Sequence, residues 1–291
     1  MKTKKLISLS ADLAVIFLFV YFLIFPNRAS ASTRDALYFC GNTLVPSLFI
    51  YMILAKMVTS SIFIEKTAKK FGYEVLLLAL GLLCGAPIGA KLAYDLYTKG
   101  QITKQRAEYL CSFSNNASIS FVIGYVGVGL FGDIRIGLKL FTFQLISAIS
   151  TAIIMRLVLF GKNMPSSPIN MPMKKAQLSE SLSDSAYTML NLCACVIFFI
   201  VVGSAISRVF SLGSTSDAIL KSILEFSSGC AAAYYKGIYS LPITAFSLGF
   251  TGCSVAMQVK SVCKGELSMM PYFAGKIINC AIFTILAIIC G

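Results

Sequence analysis

The sequence predicts an all-α membrane protein that crosses the bilayer several times. Hydrophobic residues make up 57% of the 291 residues and charged residues 13%, and the mean hydropathy is +0.81. Soluble proteins carry about twice that share of charged residues, so this chain has too little polar surface to cover a soluble core. Its apolar runs are long and unalternated, unlike the short alternating strands of a membrane β-barrel.

The charge, cysteine and histidine content argue against a nucleic-acid-binding protein, a metalloprotein and an enzyme. The net charge is +13, but the lysines lie mostly in short loops between apolar runs, where the positive-inside rule places them, so we expect no nucleic-acid partner. Most of the ten cysteines lie in apolar runs, where cysteine acts as a small hydrophobe. The chain has no histidine. We therefore expect no metal, no cofactor and no enzymatic activity, because serine and cysteine nucleophiles lack their usual base.

Residues 1–35 are predicted to form an N-terminal transmembrane helix and a loop. The stretch MKTKKLISLSADLAVIFLFVYFLIFP has a basic start and an apolar run long enough to span a bilayer. The letters ASAS at 29–32 resemble a signal-peptide cleavage site, so a cleaved signal is the alternative. The apolar run exceeds the usual signal core, and we predict a retained helix with a cytoplasmic N-terminus.

Residues 36–160 form the first of two predicted repeats, and a polar linker at 161–185 separates it from the second. The segments of the first repeat are an apolar run, a short basic interfacial candidate, a broken run, a run rich in Ser and Asn, and an unbroken span. They lie at 36–60, 62–72, 73–97, 107–131 and 136–160.

The broken run 73–97 is predicted to be a re-entrant hairpin. Its centre reads GAPIG, where Pro87 removes a backbone donor, and irregular backbone persists in lipid only where it is buried in protein or lines a cavity. Basic clusters flank the run on both sides, and folding back keeps both in the cytoplasm. The N-terminus of the second arm, around 88–91, is suited to binding an anion.

Residues 186–291 form the second predicted repeat. YTKGQIT at 97–103 aligns with VCKGELS at 262–268, which places the GAPIG stretch on GFTGCS. Two glycine-broken segments at corresponding positions indicate a transporter site, so we predict a second re-entrant hairpin at 238–262. Its side of the membrane stays open, because its basic flanks favour the cytoplasm whereas inverted repeats place it outside.

Polar residues near these two glycine-rich stretches and in the Ser/Asn-rich run are the candidate substrate ligands. Lys91 either neutralises an anion in the cavity or forms an i,i+4 pair with Asp95 near the interface. The stretch SFSNNAS holds more polar groups than helix packing needs. The predicted ligands are Gly85, Pro87, Gly89, Lys91, Ser114, Asn115, Asn116, Thr251, Gly252 and Ser254, with Asp95, Glu225 and Lys276 as further candidates.

Several stretches carry a resemblance to a known family. They are VPSLFIYMIL (45–54), GAPIGAKLAYDL (85–96), SFSNNAS (112–118), IGYVGVGLFG (123–132), GFTGCSVAMQV (249–259) and PYFAGKIIN (271–279). On these residues the chain resembles the sporulation integral membrane proteins of the YlbJ type, within the wider nucleoside-recognition, or Gate, domain family. The chain is shorter than typical members, and its second break has fewer glycines than the family leads us to expect.

The resemblance implies a fold similar to concentrative nucleoside transporters, with two inverted halves. It also implies a role in spore formation, where the family is connected with moving dipicolinate, a planar dianion, across the outer forespore membrane. A nucleoside transporter, which needs acidic groups for ribose, and a non-transporting membrane scaffold are the alternatives. The expected partners are the lipid bilayer and a small anionic solute, and a homo-oligomer is left open.

Overall fold

The structure is a computed structural model that describes residues 2–59, 62–161 and 177–291. All regular structure in these ranges is helical, so the predicted all-α class is confirmed. In chain order the α-helices are α1 (Lys2–Ile24), α2 (Pro26–Phe39), α3 (Val45–Thr59), α4 (Ile62–Cys84), α5 (Ile88–Thr98), α6 (Lys104–Phe113), α7 (Ile134–Met155), α8 (Leu178–Val209), α9 (Ser214–Leu224), α10 (Phe226–Ala233), α11 (Ser240–Phe250), α12 (Gly252–Val262) and α13 (Met269–Cys290). Short π-helical or 3₁₀ segments are Cys40–Leu44, Ser120–Leu130, Arg156–Phe160 and Gly237–Tyr239.

Within the described residues, four helical stretches are long and apolar enough to cross a membrane. They are Ile134–Phe160, Leu178–Val209, Gly237–Val262 and Met269–Cys290. The pair Asp12–Ile24 and Pro26–Leu44 adds a fifth if it is one span bent by 102°. The bend falls at Phe25, where Pro26 opens α2 and cannot donate a backbone hydrogen bond to α1.

The first chain reversal joins α4 to α5. Two glycines, one in each helix, lie against the carbonyl oxygen of Ser114. A Cβ atom added to Gly81 of α4 would lie 1.9 Å from that oxygen, and one added to Gly89 of α5 would lie 2.4 Å from it. Residues eight positions apart in a straight helix are about 12 Å apart, so the two arms must fold back. Gly85 at the turn has a φ of 82°, a value that favours glycine.

The second reversal differs from the prediction, because it joins α9 to α10 rather than lying in 238–262. Glu225 has an extended backbone between the two helices. A Cβ on Gly229 would lie 2.5 Å from Cα of Ser222, and Ala218 and Ala233 belong to one buried cluster. These pairs are symmetric about Glu225, as in a helical hairpin.

The segment predicted as the second hairpin forms α11 and α12, inside the apolar stretch Gly237–Val262 that is long enough for a crossing. Thr251 and Gly252 interrupt this stretch, with φ values of 62° and 77°. A Cβ on Gly249 would lie 2.8 Å from Cα of Cys280, so α11 packs closely on α13. The glycine-rich sequence therefore serves a helix break and a close helix contact.

The described elements follow one order twice. The hairpin α4–α5 precedes the interrupted helix made of α6 and Ser120–Leu130, and then α7; the hairpin α9–α10 precedes α11 and α12, and then α13. Each hairpin tip also contacts the interruption that follows it: the amide of Ala86 donates to the Asn116 carbonyl (2.8 Å), and a Cβ on Gly252 would lie 3.0 Å from the Leu224 carbonyl. This arrangement places two interruptions inside an otherwise apolar fold, the first break at Ser114–Ser118 and the second break at Thr251–Gly252.

Candidate functional site

The first break, Ser114–Ser118, holds two asparagines that bind the surrounding backbone. The side-chain oxygen of Asn115 accepts from the amide of Ala90 at 2.8 Å, and its amide group donates to the carbonyl of Cys111 at 2.9 Å. The amide group of Asn116 donates to the carbonyl of Phe113 at 2.8 Å. The asparagines thus satisfy backbone groups that the helix ends leave unpaired, and Asn115 occupies the α5 N-terminus that the sequence assigned to an anion.

Ser114 lies between the arms of the first hairpin. Its carbonyl faces Gly81 and Gly89, neither of which has room for a side chain. Its hydroxyl is buried and has no hydrogen-bond partner within the described residues. A buried hydroxyl without a partner is costly.

Lys276 of α13 brings a positive charge to the first break. The residue is 1% exposed, its Nζ donates to the carbonyl of Asn115, and the same Nζ lies 5.9 Å from the ring centroid of Tyr272. No carboxylate lies within ion-pair distance of it in the described part of the chain. A carbonyl and a ring compensate only part of the cost of burying a charge.

Glu225 brings a charge of the opposite sign to the second break, because a Cβ on Gly252 would lie 3.1 Å from the backbone nitrogen of Glu225. Glu225, at the α9–α10 reversal, is 0% exposed. Its carboxylate accepts from the amides of Ser227 (3.1 Å) and Ser228 (2.8 Å) and from the hydroxyl of Ser227. It is therefore the N-cap of α10, where the helix dipole favours a negative charge.

Residues of α11 and α13 connect the two breaks. The hydroxyl oxygens of Thr251 and Tyr272 lie 3.4 Å apart, and Tyr272 also faces Lys276. Asn279 donates to the carbonyl of Gly249 at 3.0 Å. Ser254 is buried in α12, where its hydroxyl accepts from Gln258 at 3.2 Å. Of the residues predicted in the second half, Thr251 and Gly252 therefore lie at the second break, and Ser254 is bonded within its own helix.

Lys91 and Asp95 lie in a separate cluster. Nζ of Lys91 is 3.1 Å from Oδ2 of Asp184 and 3.4 Å from Oγ1 of Thr188, both on α8. Lys56 of α3 pairs with the same Oδ2 atom at 2.5 Å. The structure pairs Lys91 with Asp184 and not with Asp95, so the i,i+4 pair is absent among the described ion pairs.

Three polar residues at these sites escaped the sequence analysis. Gln144 of α7 is fully buried and donates to the carbonyl of Ala117 at 2.9 Å, and Lys56 and Asp184 form the cluster around Lys91. Gln144 and Lys56 each stand alone in an apolar run, and a polar residue in such a run is a functional candidate. Asp184 had no such signal, because it lies at the end of the polar linker.

Comparison with known proteins adds one relative. The chain is 22% identical over 319 residues to the sporulation integral membrane protein YlbJ of Bacillus subtilis (strain 168), and the match covers 91% of this chain and 78% of that protein. The chain is related to the YlbJ type. No protein-family model matches it, and no solved structure matches it significantly. Together with its apolar helices, the relationship to YlbJ indicates a sporulation-related integral membrane protein.

Proposed function

We propose that this YlbJ relative moves a small organic anion across a membrane, with dipicolinate as the candidate substrate. The observation that carries the proposal is Lys276, a buried lysine at an interrupted helix with no carboxylate partner within the described residues. Ionisable residues inside apolar membrane segments are costly and are typical of substrate pathways. The choice of dipicolinate rests on the family resemblance.

The anion binds at Asn115 in this proposal. Lys276 contacts the backbone carbonyl of Asn115, and the α5 amide of Ala90 contacts its side chain. An anion beside Asn115 can therefore interact with the lysine and with the α5 N-terminus together. In this proposal the arrangement in which the Asn115 side chain holds the Ala90 amide is the closed one, and substrate binding turns that side chain away.

Two further features belong to the same proposal. The hairpins α4–α5 and α9–α10 are re-entrant, and the two halves are inverted repeats, as in concentrative nucleoside transporters. The repeated order of hairpin, interrupted helix and long helix supports this arrangement. Lys276, which α13 of the second half brings to the first break, supports a pathway that passes between the two halves.

Dipicolinate uptake into vesicles that contain the purified protein tests the proposal. We expect the parent chain to take up dipicolinate and Lys276→Met to lose that uptake while remaining folded. Lys260→Met is the matched control, because Lys260 is an exposed lysine of α12. Absence of uptake by correctly inserted parent protein would contradict the proposal and favour the membrane scaffold. Uptake of uridine in place of dipicolinate would favour the nucleoside transporter.

A further inference from the structure

The base of the α9–α10 hairpin presents an exposed apolar surface. In the connection from α10 to α11, Tyr235, Ile238 and Tyr239 are 80%, 84% and 58% exposed, and Phe210, in the connection from α8 to α9, is 69% exposed. Because α9 and α10 fold back on each other about Glu225, these two connections lie at the same end of the hairpin. The four side chains together form an apolar collar at its base.

The fold holds the connection from α10 to α11, and with it most of the collar, in place. The hydroxyl of Ser240 accepts from the amide of Lys236 at 3.0 Å and donates to the carbonyl of Tyr234 at 2.9 Å. The ring of Tyr234 packs edge-on against that of Phe131, with centroids 5.5 Å apart. The collar residues of this connection are therefore exposed on a braced turn.

The base of the α4–α5 hairpin has a different surface. Residues 98–105, which connect α5 to α6, expose Lys99, Lys104 and Gln105 and no large hydrophobic side chain. Such polar side chains are typical of a surface that faces water. A contiguous exposed apolar surface such as the collar instead marks contact with a membrane or a protein.

The collar lies where apolar stretches long enough to cross a membrane end. The stretch Leu178–Val209 ends next to Phe210, and the stretch Gly237–Val262 begins within the collar. Ends of membrane-spanning helices lie at the headgroup layer, where tyrosine is enriched because its ring is apolar and its hydroxyl is polar. Arg208 and Lys236 flank the collar with positive charge, which attracts anionic lipid headgroups.

We propose that the apolar collar inserts into the boundary between the headgroups and the acyl chains of a phospholipid bilayer, whereas the base of the α4–α5 hairpin lies in water. Lipid then anchors the base of the α9–α10 hairpin, while its turn at Glu225 stays at the second break. A bilayer is favoured over a protein partner, because the collar coincides with the ends of two apolar stretches and combines tyrosines with flanking basic residues. This inference does not rest on the proposed transport, because it holds for any solute.

A tryptophan reporter tests the anchor, because the chain has no tryptophan of its own. The full-length Ile238→Trp variant is reconstituted in vesicles of phosphatidylcholine and phosphatidylglycerol, with and without lipids brominated at shallow or deep acyl positions. We expect shallow bromines to lower its emission about twofold, deep bromines to lower it less, and aqueous acrylamide to have little effect. Gln105→Trp, at an exposed position of the α4–α5 base, is the matched control, and acrylamide rather than bromine should quench it.

Tyr235→Trp repeats the measurement at a second collar position. Both collar substitutions are at largely exposed positions, so the melting temperatures should match that of the parent. Acrylamide quenching of both positions at the level of Gln105→Trp, without quenching by bromine, would refute the anchor and favour a protein partner in water. Stronger quenching by deep than by shallow bromines would also refute it, because the hairpin base would then lie among the acyl chains. Bromine quenching of Gln105→Trp would refute the difference between the two bases.

Discussion

The two breaks bury charges of opposite sign, and they satisfy these charges to different degrees. Glu225 accepts three hydrogen bonds from the first turn of α10, whereas Lys276 donates to one backbone carbonyl. Both residues are at most 1% exposed. Hydrogen bonds within the fold therefore compensate the buried charge of Glu225, whereas they compensate that of Lys276 only in part.

The helix-dipole and desolvation energies at Lys276 support this distinction. The carbonyl of Asn115 lies just past the end of α6, where the helix dipole favours a cation by about 0.3–1 kcal/mol. Desolvation of a buried ion costs several kcal/mol. The dipole and one carbonyl leave Lys276 short of compensation, which an anionic ligand would supply. The comparison predicts that Lys276 matters for function and Glu225 for stability.

Lys276→Met should produce the largest functional change. Methionine keeps the length of the side chain without its charge, so the free energy of unfolding should stay equal or rise. Dipicolinate uptake should fall about 100-fold, since hydrogen bonds to charged groups contribute about 1.5–3 kcal/mol. Vesicle uptake and thermal unfolding in detergent measure the two quantities, with Lys260→Met as the control. A strong loss of stability with uptake unchanged per folded molecule would make Lys276 a structural residue and remove the difference between the breaks.

Gly89→Ala tests how tightly the first hairpin packs on its break. A Cβ there would lie 2.4 Å from the Ser114 carbonyl oxygen, a backbone atom that cannot move aside easily. We expect a loss of about 2–3 kcal/mol of stability, as for other overpacked sites. Gly124→Ala is the control, because no atom lies within 4 Å of a Cβ at that position. Equal melting temperatures for the two variants would show that the hairpin arms do not straddle Ser114.

The first half of the fold was easier to predict from the sequence than the second. Pro87 lies between two glycines at the α4–α5 turn. A proline in this position interrupts a helix because it lacks a backbone donor, so the sequence itself marks the turn. The α9–α10 turn has Glu225 instead, and the sequence before it has the period of an amphipathic helix, which is equally typical of a helix that lies in the membrane interface. In the structure Ala218 and Ser222 of α9 are 0% exposed, because the helix packs against α10.

The partners of the charged residues could not be predicted, because they are distant in sequence. Lys91 meets Asp184, 93 positions away, and Lys276 meets Asn115, 161 positions away. Local spacing suggested Asp95 for Lys91, since residues four apart share a helix face. Only the packing of α5 on α8 decides between the two acids. The sequence drew attention to the asparagines of the first break because polar groups are conspicuous in an apolar run, and their role in substrate binding stays a prediction.

Asn115→Ala should destabilise the protein more than Asn116→Ala. Asn115 bonds to both the Ala90 amide and the Cys111 carbonyl, whereas Asn116 contributes one side-chain bond, to Phe113. Each buried group left unpaired costs about 1 kcal/mol or more, so we expect losses of about 2 and about 1 kcal/mol. Chemical denaturation in detergent measures them. The reverse order would mean that the Asn115 side chain is not the group that closes the α5 N-terminus.

Glu225→Gln should have the smallest effect and decides whether the second break takes part in transport. Glutamine keeps one carbonyl oxygen for the α10 amides but loses the charge that the helix dipole favours, so we expect a loss of about 1 kcal/mol of stability. Uptake per folded molecule should stay within about twofold of the parent, because in this account Glu225 caps a helix and does not touch the substrate. Glu266→Gln is the matched control, since Glu266 is exposed and accepts from the Tyr94 hydroxyl at 2.8 Å. A tenfold loss of uptake by folded Glu225→Gln alone would instead assign the carboxylate to the transport cycle, and both buried charges would then be functional.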